Sequence, residues 1–153
     1  MTMPRRILIA DDFDDNRELL RMILEGCGYL VRETRDGREL VEAARAELPD
    51  LALIDLSMPV LDGWGAVHEL RADPRTRHLC CVALTAFAAE RDCARALAEG
   101  FDAHISKPYR QRDLLEVIER LLDGVAPRDG AVAAPRRVRS AALLPPDIPE
   151  TQA

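Results

Sequence analysis

The chain has 153 residues, about one domain's worth at the usual ~100–200 residues each. With 21 basic against 27 acidic residues it carries a formal net charge of −6, which argues against general binding to nucleic acid or an anionic membrane, both of its own sign. Hydrophobic residues make up 48%, enough for one core, while Cys27, Cys80, Cys81 and Cys93 lack the C-x-x-C spacing of a zinc site or the pattern of a disulfide framework.

Taken in chain order, short apolar runs alternate with amphipathic stretches. Ile7-Leu8-Ile9-Ala10 is too short for a buried helix and reads as a strand. The stretch 14–27 is helical by period, with Leu20, Ile23, Leu24 and Cys27 on one face and Asp14 or Asp15 expected as its cap. Tyr29-Leu30-Val31 runs on into Arg32 and Glu33, as suits an edge strand. A helix over 36–47 leads to Leu51-Ala52-Leu53-Ile54, and a helix over 63–72 carries Trp64, expected to be partly exposed. Next come Cys80-Cys81-Val82-Ala83-Leu84, a helix over 88–99, and Ala103-His104-Ile105. A last helix over 110–122 has Leu114, Val117, Ile118 and Leu121 on one side. Gly26, Gly28, Pro49, Pro74, Gly100 and Gly124 stand as helix stops.

Five such units predict an α/β fold, a doubly wound five-stranded parallel sheet of order 2-1-3-4-5 with five helices in a flavodoxin-like three-layer sandwich. Residues 1–123 read as the domain. The segment 124–153 holds five of the ten prolines and no aromatic residue, so a flexible tail is expected there. Its Arg136, Arg137 and Arg139 suit a solvated linker or a dock for an acidic partner. No apolar run reaches the ~18 residues of a membrane span, and a cytoplasmic location is expected.

The strand ends carry the chemistry. The first run ends in Asp11-Asp12, the third in Asp55, the fourth in Thr85 and the fifth in Ser106-Lys107-Pro108. In an open parallel sheet these ends line the ligand crevice. Three converging carboxylates repel one another and raise each other's pKa, a difficulty that Mg²⁺ removes with oxygen ligands and retained waters. Four aspartates within residues 11–15 exceed what capping a helix requires, and Asp55 follows four apolar residues, where burial makes a charge costly. Of the 21 basic residues only Lys107 is lysine. The position selects a compact ammonium able to touch both a carboxylate and a phosphoryl oxygen. Pro108 favours an extended or turn geometry there and admits a cis bond.

Asp11-Asp12, the segment from Asp55 through Ser57-Met58-Pro59 to Asp62-Gly63, Thr85-Ala86 and Lys107-Pro108 together resemble the receiver domain of two-component response regulators, over roughly residues 5–122. The chain is similar to a stand-alone receiver of the chemotaxis or cell-cycle type, because the tail is too short for a DNA-binding or enzymatic output domain. The resemblance implies that Asp55 accepts a phosphoryl group from a phosphohistidine on a sensor histidine kinase or histidine phosphotransfer protein. It further implies that Asp12, Asp55 and the Ser57 backbone carbonyl hold Mg²⁺, Asp11 acts through a bound water, and Thr85 and Lys107 bond the phosphoryl oxygens. Such a protein is a signalling phosphoacceptor rather than an enzyme for external substrates.

Signalling would follow as Thr85 moves toward the new charge and rearranges the face of the fourth helix, fifth strand and fifth helix, toward an unnamed downstream protein or a homodimer. At the switch position, three before the lysine, stands His104 instead of the usual aromatic residue. Phe87, two past Thr85, offers no group to orient an attacking water, and with small Ser57 it implies slow self-dephosphorylation. Leu19 and Met22, with Pro108 and Tyr109, are candidates for a patch docking a phosphotransfer helix. Two rivals remain: a phosphorylation-independent scaffold on the same fold, against which the complete Asp11, Asp12, Asp55, Thr85 and Lys107 set argues, and a Mg²⁺-dependent phosphohydrolase, for which Ser57 stands where a second acid is needed.

Overall fold

The computed structural model describes residues 3–86 and 90–125, the side chains of 90–93 and 124–125 excepted. Phe87, the Cys93 side chain and residues 126–153 of the predicted tail, with its arginine cluster, therefore lie outside the described residues. Along the chain run β1 (Arg6–Ala10), α1 (Asp14–Gly26), β2 (Leu30–Thr34), α2 (Gly37–Ala46), β3 (Leu51–Asp55), α3 (Gly63–Ala72), β4 (Cys80–Thr85), α4 (Glu90–Glu99), β5 (Ala103–Ser106) and α5 (Gln111–Val125). The five strands are all parallel, in the order β2-β1-β3-β4-β5. This is the predicted doubly wound sheet.

Alternation along the strands divides the core between two faces. Ile7, Ile9, Leu51, Leu53, Val82 and Leu84 point toward α1 and α5, where they meet Leu20, Leu24, Leu114, Ile118 and Leu121. The intervening Leu8, Ala52, Ile54, Cys81 and Ala83 point the other way, onto Leu40, Val41, Val67, Leu70 and Ala96 of α2, α3 and α4. Every residue of β3 and β4 is buried, as central strands covered on both sides require. At the sheet's edge β2 alternates between outward and partly covered positions, with Leu30 exposed.

Two local expectations are corrected. Phe13, not Asp14 or Asp15, is the N-cap of α1, and it makes no side-chain cap bond. Asp14 instead pairs with Arg17 inside the first turn, where a negative charge also complements the helix dipole. At the other end of the chain α5 continues through Gly124 to Val125. A glycine near a helix end costs only about 1 kcal/mol and does not by itself stop the helix.

The loop between β3 and α3 is tightly built. Val60 is held at φ 68°, in the left-handed region that a β-branched residue rarely adopts. Leu61 N–H donates to Pro59 O at 2.7 Å, and Gly37 N–H donates to Leu61 O at 2.8 Å, tying the loop to the start of α2. At Gly63 a Cβ would lie 2.6 Å from the Asp55 carbonyl oxygen, so only glycine lets α3 start this close to the end of β3.

Candidate functional site

The chain leaves β1, β3 and β4 at one end of the sheet, and Asp11, Asp12, Asp55 and Thr85 meet there. Carboxylate oxygens of Asp11, Asp12 and Asp55 all lie within 4.8 Å of one another. Asp11 is fully buried. Its Oδ1 accepts the N–H of Phe13, the N-cap of α1, at 2.9 Å. Its Oδ2 is buried with no hydrogen-bond partner among the described residues. Burial, with the like charges of Asp55 and Asp12 adding to it, raises the Asp11 pKa against the opposing pull of the Phe13 N–H and Lys107.

Asp55, 7% exposed, is the last residue of β3. Its Oδ1 accepts the Ser57 N–H at 3.0 Å and its Oδ2 accepts from Lys107 Nζ at 3.0 Å. The same ammonium stands 3.6 Å from Asp11 Oδ2. Lys107 reaches this position because its backbone N–H donates to the Thr85 carbonyl at 2.7 Å, extending the β4–β5 register by one residue. Thr85 is buried at the end of β4. Tyr109 is half-buried beside the cluster, and burial, with the charges of Asp11 and Asp55, pushes its hydroxyl up to about 12.

A buried anionic oxygen without a donor, beside two more carboxylates and one shared ammonium, suits a hard divalent cation with oxygen ligands. Asp11, Asp12 and Asp55 are the residues that fit it. Ser57, two residues past Asp55, lines the wall of the cleft.

The remaining predicted residues are placed as follows. His104 points inward, 3% exposed on β5, and burial lowers its pKa. Leu19 and Met22 are 55% and 64% exposed on α1, Pro108 is exposed and Tyr109 is partly covered. Phe13, 58% exposed at the mouth of the same loop, joins the apolar residues that sequence reasoning named. Trp64 is partly exposed at the start of α3, as expected.

Sequence reasoning missed Arg17. This buried arginine donates from Nη1 to the Asp11 carbonyl at 2.8 Å and from Nε to Glu33 at 3.0 Å, clamping the acidic loop to β2. Its signal was available, since residue 17 lies three before Leu20 on the inward stripe of α1. Also missed was Arg95, which lines the cleft beyond Asp55 together with Asp62 and Trp64.

Comparison with known proteins agrees with this geometry. The response regulator receiver domain family matches residues 7–119. The polar-differentiation response regulator DivK of Brucella anthropi is 36% identical over 120 residues, 78% of this chain and 98% of DivK. Among solved structures, the receiver domain of a signal transduction histidine kinase from Syntrophus aciditrophicus superimposes with a TM-score of 0.74 at 36% identity, covering 80% of this chain and 92% of that one. The receiver domain of a sensor histidine kinase from Pseudomonas aeruginosa PAO1, with a magnesium ion coordinated in its active site cleft, gives a TM-score of 0.74 at 30% identity, covering 79% and 99%. Among the described residues no helix is long and apolar enough to cross a membrane. The acids at the ends of β1 and β3, the lysine that bridges them and the extent of these matches show that the chain belongs to the response regulator receiver domain family.

Proposed function

We propose that the protein is a phosphorelay response regulator that takes a phosphoryl group onto Asp55 from a phosphohistidine of a sensor kinase or phosphotransfer protein. The observation that carries this reading is the bridge of Lys107 Nζ between Asp55 at 3.0 Å and Asp11 at 3.6 Å, beside the donor-free Asp11 Oδ2. A carboxylate oxygen of Asp55 forms the new bond to phosphorus. The phosphorus–nitrogen bond of the donor breaks, and its electron pair returns to the imidazole. Little covalent chemistry is asked of the protein, so positioning and charge placement supply most of the rate.

Asp11, Asp12, Asp55 and the Ser57 carbonyl would hold Mg²⁺, which when bound neutralises charge on the phosphoryl oxygens. Lys107 then exchanges a carboxylate partner for a phosphoryl oxygen, and the Thr85 hydroxyl donates to another. Ser57 N–H, now on Asp55 Oδ1, keeps the carboxylate oriented during transfer. The phosphoryl group would be read out through α4, β5 and α5, with Thr85 and the inward-facing His104 as the moving parts. Leu19, Met22, Pro108 and Tyr109 would receive the donor protein. Residues 1–123 would constitute the receiver, with 124–153 as an appended segment.

Incubation with Mg²⁺ and acetyl phosphate tests this. The wild-type chain is expected to gain one hydroxylamine-sensitive phosphate by mass, and Asp55→Asn to gain none. A chain that gains no phosphate is a binding scaffold, and one that releases inorganic phosphate over many turnovers is a hydrolase. Either result removes the proposal.

A further inference from the structure

The cleft does not end at Thr85 and Lys107. It opens into a pocket of about 570 Å³ whose far wall is Trp64 of α3 and Arg95 of α4. The Arg95 guanidinium carbon lies 4.1 Å from the centroid of the Trp64 ring. That ring is itself braced edge-on against the buried Phe101, with centroids 6.0 Å apart and planes at 75°. Stacking of this kind holds a planar cation in place while leaving its edge free to donate. The only ionic partner of Arg95 among the described residues is Glu99, one turn further along α4, at 3.9 Å. Glu99 is shared with His68. No hydrogen bond engages the Arg95 donors among the described residues.

The electrostatics of the cleft give those donors a use. A phosphoryl group on Asp55 carries nearly two negative charges where the carboxylate carried one, at the end of the pocket beside Asp11 and Asp12. A divalent cation and Lys107 leave an excess of about one negative charge. Asp62 also faces the pocket, but its Oδ1 accepts the Gly65 N–H at 2.9 Å as the cap of α3, so the helix terminus offsets its charge. Among the described residues Arg95 is the cation lining the open side.

We propose that Arg95, presented by Trp64, is a further phosphoryl-recognition residue, whose guanidinium leaves Glu99 and donates to an oxygen of the group on Asp55. The inference rests on the phosphoacceptor reading of Asp55 and adds to it a direct tie between the phosphoryl group and α4. That tie is independent of the Thr85 hydroxyl and of the packing around His104. It also gives the pocket a specificity, because a trigonal or tetrahedral anion can use a planar fork that a bare carboxylate site lacks.

Calorimetric titration of the full chain with beryllofluoride in saturating Mg²⁺ tests the role. Arg95→Gln is expected to lower beryllofluoride affinity about tenfold, the loss of one charge-assisted hydrogen bond. Mg²⁺ affinity measured alone and the thermal midpoint should stay unchanged, since Arg95 is half-exposed and anchors no backbone. Arg95→Lys, which keeps the charge, should recover part of the loss. Trp64→Leu, which removes the platform, should weaken beryllofluoride binding in the same direction. Equal beryllofluoride affinity in Arg95→Gln and wild type overturns the role of Arg95. A wild-type chain that takes up neither beryllofluoride nor phosphate overturns the phosphoacceptor reading instead.

Discussion

At the scale of single residues, the site is assembled against its own electrostatics. Asp11 is buried with one oxygen that accepts no hydrogen bond, 3.6 Å from Lys107 Nζ, and with two carboxylates nearby. Asp11→Asn should therefore raise stability without metal, by about 1 kcal/mol, while removing the stabilisation by Mg²⁺ expected of the wild type. Urea unfolding with and without Mg²⁺ measures both effects, and a less stable metal-free variant would show that the cluster is not under like-charge tension. His104 gives a pH dependence of definite sign. Burial lowers its folded pKa, so the unfolded chain binds the proton first, and stability falls as pH drops through the ordinary value of 6.5. Comparing His104→Phe with wild type between pH 7.5 and 5.5 isolates the contribution, which is at most about 1.4 kcal/mol per pH unit. The wild type should weaken faster on the acid side, and parallel curves would mean that His104 titrates alike in both states. Both Asp11 and His104 were marked by their sequence positions. That Asp11 is the more buried partner of Asp12, and that His104 points inward, depended on packing that no single run of residues displays.

At the scale of elements, strand ends and helix starts were legible to within a few residues, because burial on both faces leaves long apolar runs and helices leave a three-to-four period. What was not legible is how side chains join one element to another. Arg71 of α3 is the clearest case. It donates to the Gly100 carbonyl at 3.0 and 2.7 Å, to the Leu79 carbonyl at 2.6 Å and to the Arg77 carbonyl at 2.9 Å, and it meets Asp102 at 3.2 Å. Nothing in the local sequence distinguishes it from the other arginines, since its partners come from two later segments, one before β4 and one between α4 and β5. Arg71→Met keeps the aliphatic length and removes these bonds. It should cost about 3 kcal/mol by leaving the Gly100 and Leu79 carbonyls without this donor and the Asp102 carboxylate without the guanidinium's charge. Denaturant unfolding measures the loss, and amide exchange should show Gly100 to Asp102 opening early. A cost below about 1 kcal/mol would mean that water replaces the guanidinium freely.

At the scale of the whole molecule, sheet order was readable because the hydrophobicity of each strand reports its depth, and β2 alone carries charged residues in its interior, Arg32 and Glu33. The acidic end of the sheet was readable too, since parallel strands deliver their last residues to one side. The second layer behind it, Arg17 against β2 and Arg95 over Trp64, was not, because those contacts join residues far apart in sequence. Both core clusters fall within residues 7–122. A chain ending after 125 should accordingly keep the wild-type thermal midpoint within about 2 °C and gain the same single phosphate. A large drop in either would assign part of the receiver to the residues beyond.

The lone lysine has a practical corollary. With every other cationic side chain a guanidine, mild formaldehyde and borohydride would place methyl groups on two amines only, the chain terminus and the Nζ between Asp55 and Asp11. One carbon-13 resonance would then report the occupancy of the cleft in solution, with no mutation and no dye.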